Sequence, residues 1–439
     1  MRFFLFFILL FSFLRGADAA KISISDFLQK NKATAWTTSS ADFQKNNGSK
    51  GMYRWNSAQK KSMHYATYRT KKALYFLDWR ITEADFNFKN DQLSSMSLNL
   101  YNKTCATNKS LATNKNAFFK FLKKVRGSLN TFCKKKHTKI SVKLINSARC
   151  QSCVWNSPNT YIVFKWSFDG SNRYNFIANY ATVYIYKDKQ FFDQQSKASV
   201  SSLTELKALI KVDKDGTRHI QIPMVDQGQR GYCVVACAER ILKYYKVNID
   251  QHILAQAAST SNRGTRATEI QSAMKRVGSK CNFHVKELSE YSPLVGTNKI
   301  VKFLKKYNRL AKKAKKTRIN IKSVRTYNQL FKLMDEDLLT KTKKDYDKNG
   351  FRKFKQKVKS TVDSGMPVLW GVMLGMVKEA KIPQNTGGHM RLITGYNPKT
   401  NEMIYSDSWG KGHDFKRISW EKAWVMTTMA YVFIPKNMK

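Results

Sequence analysis

Asp226-Gln227-Gly228-Gln229-Arg230-Gly231-Tyr232-Cys233-Val234-Val235-Ala236 sets a cysteine at the first turn of a helix that opens just after a glycine-bearing loop. Val234, Ala238, Ile241 and Tyr245, with Cys237 beside them, put an apolar stripe on that helix. The first turn of a helix carries unpaired N–H groups and a partial positive charge, and both favour thiolate over thiol. The glycines let a substrate backbone come close. Gln227 lies six residues upstream of the thiol. Its amide is placed to donate, beside the Cys233 N–H, to a developing oxyanion. A cysteine at a helix start is also a common buried residue, so the segment alone does not decide the chemistry.

Two later segments supply partners. In Gly387-Gly388-His389-Met390-Arg391-Leu392-Ile393 a histidine opens an apolar strand after two glycines. There it can stand at a cleft edge, take the thiol proton and hold it as imidazolium. In Met403-Ile404-Tyr405-Ser406-Asp407-Ser408-Trp409-Gly410 a carboxylate ends a strand before a Trp-Gly turn. It can bond the far nitrogen of His389, fixing the tautomer and stabilising the cation. Singly, these read as a surface histidine and a turn aspartate. Together they run in the order Cys, His, Asp, with 156 residues from Cys233 to His389 and 18 from His389 to Asp407, the length of one hairpin.

Gln-Gly-x-x-Gly-x-Cys, a Gly-His-x-x-x-x-x-Gly-Tyr strand and Asp-Ser-Trp-Gly resemble the papain superfamily of cysteine peptidases, where the Cys-to-His separation is about 130–150 residues. Gly-Tyr-Cys-Val-Val-Ala and an Asp in third place are most similar to the bacteriocin-leader-processing peptidases (cysteine peptidase family 39) and their relatives in exported bacterial proteins. Papain itself carries Asn where Asp407 stands. The resemblance covers about half of the chain and is specific at the three motifs. It implies Cys233 as nucleophile, His389 as general base and acid, Asp407 as the group orienting His389, Gln227 as oxyanion donor and Trp409 as a shield over the His–Asp contact. It also implies a two-lobed α+β domain, with an N-terminal helical lobe carrying the Cys and an antiparallel sheet lobe carrying the His and Asp. The expected reaction is hydrolysis of peptide bonds in a peptide or protein substrate, with no metal or organic cofactor. An amide or acyl transferase on the same scaffold, and an inactive peptidase-fold protein that binds acidic polymers, are the other readings. The bacteriocin-processing members are fused to a membrane transporter, and no transmembrane segment is expected here after signal cleavage, so the resemblance does not carry over a leader peptide as substrate.

Working outward, residues 219–439 form the expected peptidase domain, with a Lys-rich helical insertion at 299–350. Asp250 is expected to cap a short helix over Gln251 to Ala258. Pro367–Leu374, Met390–Tyr396, Met403–Asp407 and Ala430–Ile434 read as short strands, so helix precedes sheet in an α+β order. Residues 73–190 read as a separate α+β domain of unknown function. Its strands are expected at Ala73–Trp79, Ser95–Tyr101, Tyr161–Phe168 and Ala181–Tyr186, and Phe118, Leu122, Val125, Leu129 and Phe132 mark one helix face. Residues 20–72 read as a polar segment with one short helix at Ile24–Lys30, and residues 191–218 as a linker with a helix over Leu203–Ile210.

Residues 1–19 read as a signal peptide: Arg2, an apolar run from Phe3 to Leu14, and an Ala17-Asp18-Ala19 cleavage site. The run is too short to span a bilayer, so a secreted or periplasmic location is expected. The formal net charge is +49. Such a field attracts polyanionic surfaces, and a Lys- and Asn-rich composition also follows from AT-rich coding. No nucleic-acid motif with interleaved aromatics appears, so no specific nucleic-acid partner is expected. Seven cysteines are present: Cys105, Cys133, Cys150, Cys153, Cys233, Cys237 and Cys281. The odd count leaves a free thiol. Cys150-x-x-Cys153 reads as a local disulfide or as two ordinary thiols rather than as a zinc half-site. Cys237 is expected in the core, and His413, among loop and charge, in solvent.

Overall fold

Alternating apolar residues build two large antiparallel sheets, each with its own core, and the stretch expected as the strand Ala73–Trp79 instead forms two short strands, Leu74–Phe76 and Trp79–Arg80, in a small third sheet with Ile22–Ser23. The computed structural model describes residues 22–436 except 33, 49–50, 58–59, 104–108, 139–140, 146–147, 158, 171–175, 198–199, 201, 228–230, 248–253, 255–268, 290–296, 321–326 and 385. The expected signal peptide, Cys105, and all of the Asp250-capped helix except Leu254 lie outside the described residues.

In the N-terminal half, eight strands follow the spatial order Arg54–Trp55, Ser62–Ala66, Glu83–Lys89, Gln92–Asn102, Ile177–Tyr186, Thr160–Asp169, Ala148–Ser157 and Ser141–Ile145. Ile162, Phe164, Trp166, Val183 and Ile185 face a core that also holds Phe118, Leu122, Val125 and Leu129 of helix Lys115–Phe132. The alternate residues Tyr161, Val163, Tyr184 and Tyr186 cover the opposite face with Phe191 and Phe192. The segment expected to be polar, residues 20–72, belongs to this unit. Its sparse apolar residues Ile24, Phe27, Phe43, Met52, Tyr53, Met63 and Tyr65 are all buried in the same core. Phe43 shows why: its ring lies 4.6 Å from Phe86 and 5.3 Å from Phe27. Single aromatics among Lys and Asn leave the average composition polar, yet each fills a gap in the sheet's core.

In the C-terminal half, the sheet order is Ile210–Val212, Arg218–Ile220, Gly387–Asn397, Val368–Leu374, Thr427–Pro435 and Phe283–Ser289. Glu402–Ser406 also pairs with Gly387–Asn397, and Lys416–Ser419 pairs with Glu402–Ser406. The four expected strands are therefore present, and helix Cys233–Tyr244 packs against the sheet through Val234, Cys237, Ala238 and Ile241. The molecule is α+β.

The stretch read as a linker is only partly one. Helix Leu203–Ala208 forms, but Ile210–Val212 and Arg218–Ile220 are a hairpin at the edge of the C-terminal sheet. Gly395 makes that pairing possible: a Cβ there would lie 2.4 Å from the Arg218 carbonyl oxygen. The Lys-rich stretch at 299–350 is helical as expected, but it carries its own small core. Ile300, Phe303, Leu304, Tyr307 and Ala311, spaced as one helix face, pack with Leu330, Phe331 and Leu339 against Met376, Val377 and Val425. Cys133, Cys150, Cys153, Cys233, Cys237 and Cys281 are all free thiols. Cys150 and Cys153 share the strand Ala148–Ser157. A spacing of three on a strand sends side chains to opposite faces, which rules out a local disulfide. No helix among the described residues is long and apolar enough to cross a membrane.

Candidate active site

Cys233 is the first residue of its helix, at the end where the dipole is positive, and is partly exposed. The strand Gly387–Asn397 runs alongside that helix, and residues two apart on it share a face. His389 and Arg391 therefore point the same way. Asp407 follows the last residue of the neighbouring strand, Ser406, which pairs with Leu392. Both groups reach it: His389 Nε2 lies 3.1 Å and Arg391 Nε 2.7 Å from Asp407 Oδ1, all three side chains fully buried. Trp409 stacks on the His389 ring with centroids 4.1 Å apart and planes within 7°. An indole over that face keeps water from the His–Asp hydrogen bond.

The charges act on one another. Burial pushes the Cys233 thiol up, but the hydrogen bond and charge of His389 hold it below its ordinary range. Burial pulls the His389 imidazolium down, and the hydrogen bond to Asp407, then the Cys233 sulfur, raise it above its ordinary value. Burial raises the Asp407 carboxyl as well. The His389 hydrogen bond and the Arg391 charge more than offset this and bring it down to about 2. The arrangement favours a thiolate–imidazolium pair backed by a carboxylate.

Gln227 sits beside this group. Its N–H donates to the Ser408 carbonyl at 2.9 Å, and the Ser408 hydroxyl donates to Gln227 Oε1 at 2.6 Å. That second bond turns the NH2 end of the amide away from Ser408. Gly228, Gln229 and Arg230, which complete the loop, lie outside the described residues. Cys237 is a core residue as expected: fully buried, its thiol donates to the Met390 carbonyl and burial pushes it up to about 12.

Two arginines escaped sequence reasoning. Arg391 bridges Asp407 to Glu379, with Nη1 3.0 Å from Glu379 Oε1. Arg240, fully buried two turns after Cys233, donates to the Asp407 carbonyl at 2.7 Å, to Ser406 Oγ at 2.5 Å and to the Pro223 carbonyl at 2.9 Å. The only sequence signal was shared facing: Arg391 is two residues past His389 on a strand, and Arg240 seven past Cys233 on a helix. His413 is not the solvent-exposed residue expected. It is only 14% exposed, lies 4.0 Å from Asp407 Oδ2 and meets Trp409 edge-on. Burial, then the charge of Lys416, hold it below the ordinary histidine range. Among the described residues no cluster of three or more His, Cys, Asp or Glu has metal-ligand geometry.

A thiol at a helix start faces an imidazole and a carboxylate carried on an antiparallel sheet. Residues 221–323 match the model of the Peptidase C39 family, and residues 305–431 match that of the Peptidase_C39 like family. The C-terminal half of the chain belongs to the C39 family and is a papain-like cysteine peptidase domain. Among solved structures, the peptidase domain of Streptococcus ComA, a bi-functional ABC transporter involved in a quorum-sensing pathway, is similar. It is 14% identical, with 49% of this chain and 99% of that chain covered and a TM-score of 0.24. None of the curated proteins matches the chain.

Proposed function

We propose that the protein is an exported peptidase that cleaves peptide bonds through Cys233, His389 and Asp407, with Gln227 as oxyanion donor. The observation that carries this is the line Cys233–His389–Asp407. The thiol is held low by His389, and His389 is fixed through Nε2 on Asp407 under the Trp409 ring. That tautomer leaves Nδ1 for the thiol. In the first step the Cys233 thiolate adds to the scissile carbonyl carbon, and the negative charge moves to the carbonyl oxygen. The Cys233 N–H and the Gln227 amide donate to it. The C–N bond then breaks as His389 gives its proton to the departing amine. Water, deprotonated by His389, adds to the thioester, and the acid leaves with regeneration of the thiolate. Asp407 keeps the ring oriented and balances its charge throughout. The papain-like two-lobed reading fits this site: the helix brings the thiol and the antiparallel sheet brings the base and acid.

Peptide mapping after brief iodoacetamide treatment at pH 6 is expected to find the label on Cys233 and not on Cys237, and a Cys233→Ala variant is expected to lose hydrolysis of fluorescein-labelled casein. Label spread evenly over several cysteines, or casein hydrolysis that survives the substitution, would remove Cys233 from its role. Export is supported by the apolar run and Ala17-Asp18-Ala19. N-terminal sequencing of protein recovered outside the cytoplasm of a bacterial host should read Ala20 first, and a retained Met1 would count against cleavage.

A further inference from the structure

Arg69 ends the short turn Thr67–Arg69, which follows strand Ser62–Ala66 of the N-terminal sheet. Its Nη2 lies 2.7 Å from Asp226 Oδ2 across 157 residues of sequence, and both side chains are largely buried, 12% and 6% exposed. Asp226 immediately precedes Gln227. The same carboxylate oxygen lies against the turn that follows Trp409: a Cβ on Gly410, which has φ +83°, would be 3.0 Å from it. Gln227 and Ser408 are joined by the two hydrogen bonds described above. Residues 226–227 and 408–410 are thus one tied unit at the active site, and the N-terminal half grips it through a buried guanidinium.

The electrostatic consequence is specific. A buried carboxylate one residue from an oxyanion donor opposes the negative charge that forms on the substrate oxygen. A guanidinium on that carboxylate cancels the opposition and holds the loop in place. We infer that Arg69 is a positioning residue for the oxyanion site, so that the N-terminal half is an intramolecular activator of the peptidase. This rests on the reading of Gln227 as oxyanion donor. The N-terminal sheet then needs no chemistry of its own to matter for turnover. It supplies one charge and one anchor to Asp226 and the residues tied to it.

Two small reagents test this on the full mature chain without knowledge of the substrate. With p-nitrophenyl acetate the Cys233 thiolate adds to the acetyl carbonyl, an oxyanion forms, the C–O bond breaks and coloured p-nitrophenolate leaves. With iodoacetamide the same sulfur displaces iodide at a saturated carbon, and no oxyanion forms. Both rates are taken above a Cys233→Ala background. Arg69→Met is expected to slow acetylation about tenfold or more while alkylation stays within about twofold. Adding Asp226→Asn to Arg69→Met is expected to restore most of the acetylation rate, because the uncancelled charge is gone. Acetylation at the wild-type rate in Arg69→Met overturns the inference. So does an equal fall in both reactions, or failure of Asp226→Asn to restore acetylation. Slow alkylation of the wild-type chain below pH 7 would instead overturn the assignment of Cys233, and the inference with it.

Discussion

In a His389→Ala variant, hydrolysis of peptide bonds is expected to fall by a factor on the order of 10⁴ or more. Two separate losses combine. The leaving amine has no proton donor, and the thiol loses the group that holds it low. Of the influences on Cys233, burial pushes the thiol up and His389 brings it down. Without the imidazole, burial acts unopposed, and ionisation moves to the ordinary thiol range near 8.5 or above it. The alkylation profile reads this directly. Wild-type protein should react with iodoacetamide at a rate that stays flat well below pH 7. The variant's rate should climb tenfold per pH unit, so that at pH 6 it is roughly a three-hundredth of its own alkaline plateau or less. A variant profile that overlays the wild type would mean that His389 does not ionise Cys233, and the triad reading would be abandoned.

Arg391→Met is expected to cost about 3–5 kcal/mol of stability, because it takes the cation away from buried Glu379 and one of the cations away from buried Asp407. Arg391 is fully buried between Asp407 and Glu379, with its guanidinium carbon 4.7 Å from the centre of the Tyr405 ring. Methionine fills much of that space but leaves two carboxylates in a dry site. For a unit of this size the loss lowers Tm by on the order of 10 °C.

The pH dependence follows from Asp407, whose carboxyl sits at about 2. An unfolded aspartate ionises near 3.9. A group depressed in the folded state stabilises it fully above the unfolded value, and the contribution is lost as pH falls through the folded one. The gap between wild type and Arg391→Met should therefore be widest above about pH 4 and close as pH falls towards 2, where both forms take up the proton. Urea unfolding midpoints from pH 7 to pH 2.5 would show this. Equal midpoints at pH 7 would mean that Lys416 and His389 alone balance Asp407.

Much of the site was legible because its signals are local. A thiol at a helix start, a histidine opening a strand and an aspartate closing the next one each leave a short pattern, and the hairpin length between His389 and Asp407 joins two of them. Helix Lys115–Phe132 and the strands around His389 were legible for the same reason, since periodicity is written within one element. In the segment at 20–72 the helix Ile24–Lys30 was legible too, but the burial of the rest was not, because its apolar residues are scattered and gain their meaning only from the core they enter. Of the two readings of Cys150-x-x-Cys153, a local disulfide or two ordinary thiols, the second holds, because a spacing that suits a turn separates the two side chains on a strand.

By itself, then, the sequence set the expectation of Cys233 as nucleophile, His389 as base and acid and Asp407 as its orienting carboxylate, and it determined the α+β order of the elements that carry them. Only the tertiary structure decided the charges around them. Arg240, Arg391 and Arg69 look like surface cations in a chain with a formal charge of +49, and burial opposite Asp407 and Asp226 is what gives them a role. The physical reason is that an ion pair's worth depends on the dielectric around it and on a partner that, for Arg69, lies 157 residues away in the chain, and neither is set by neighbours in sequence.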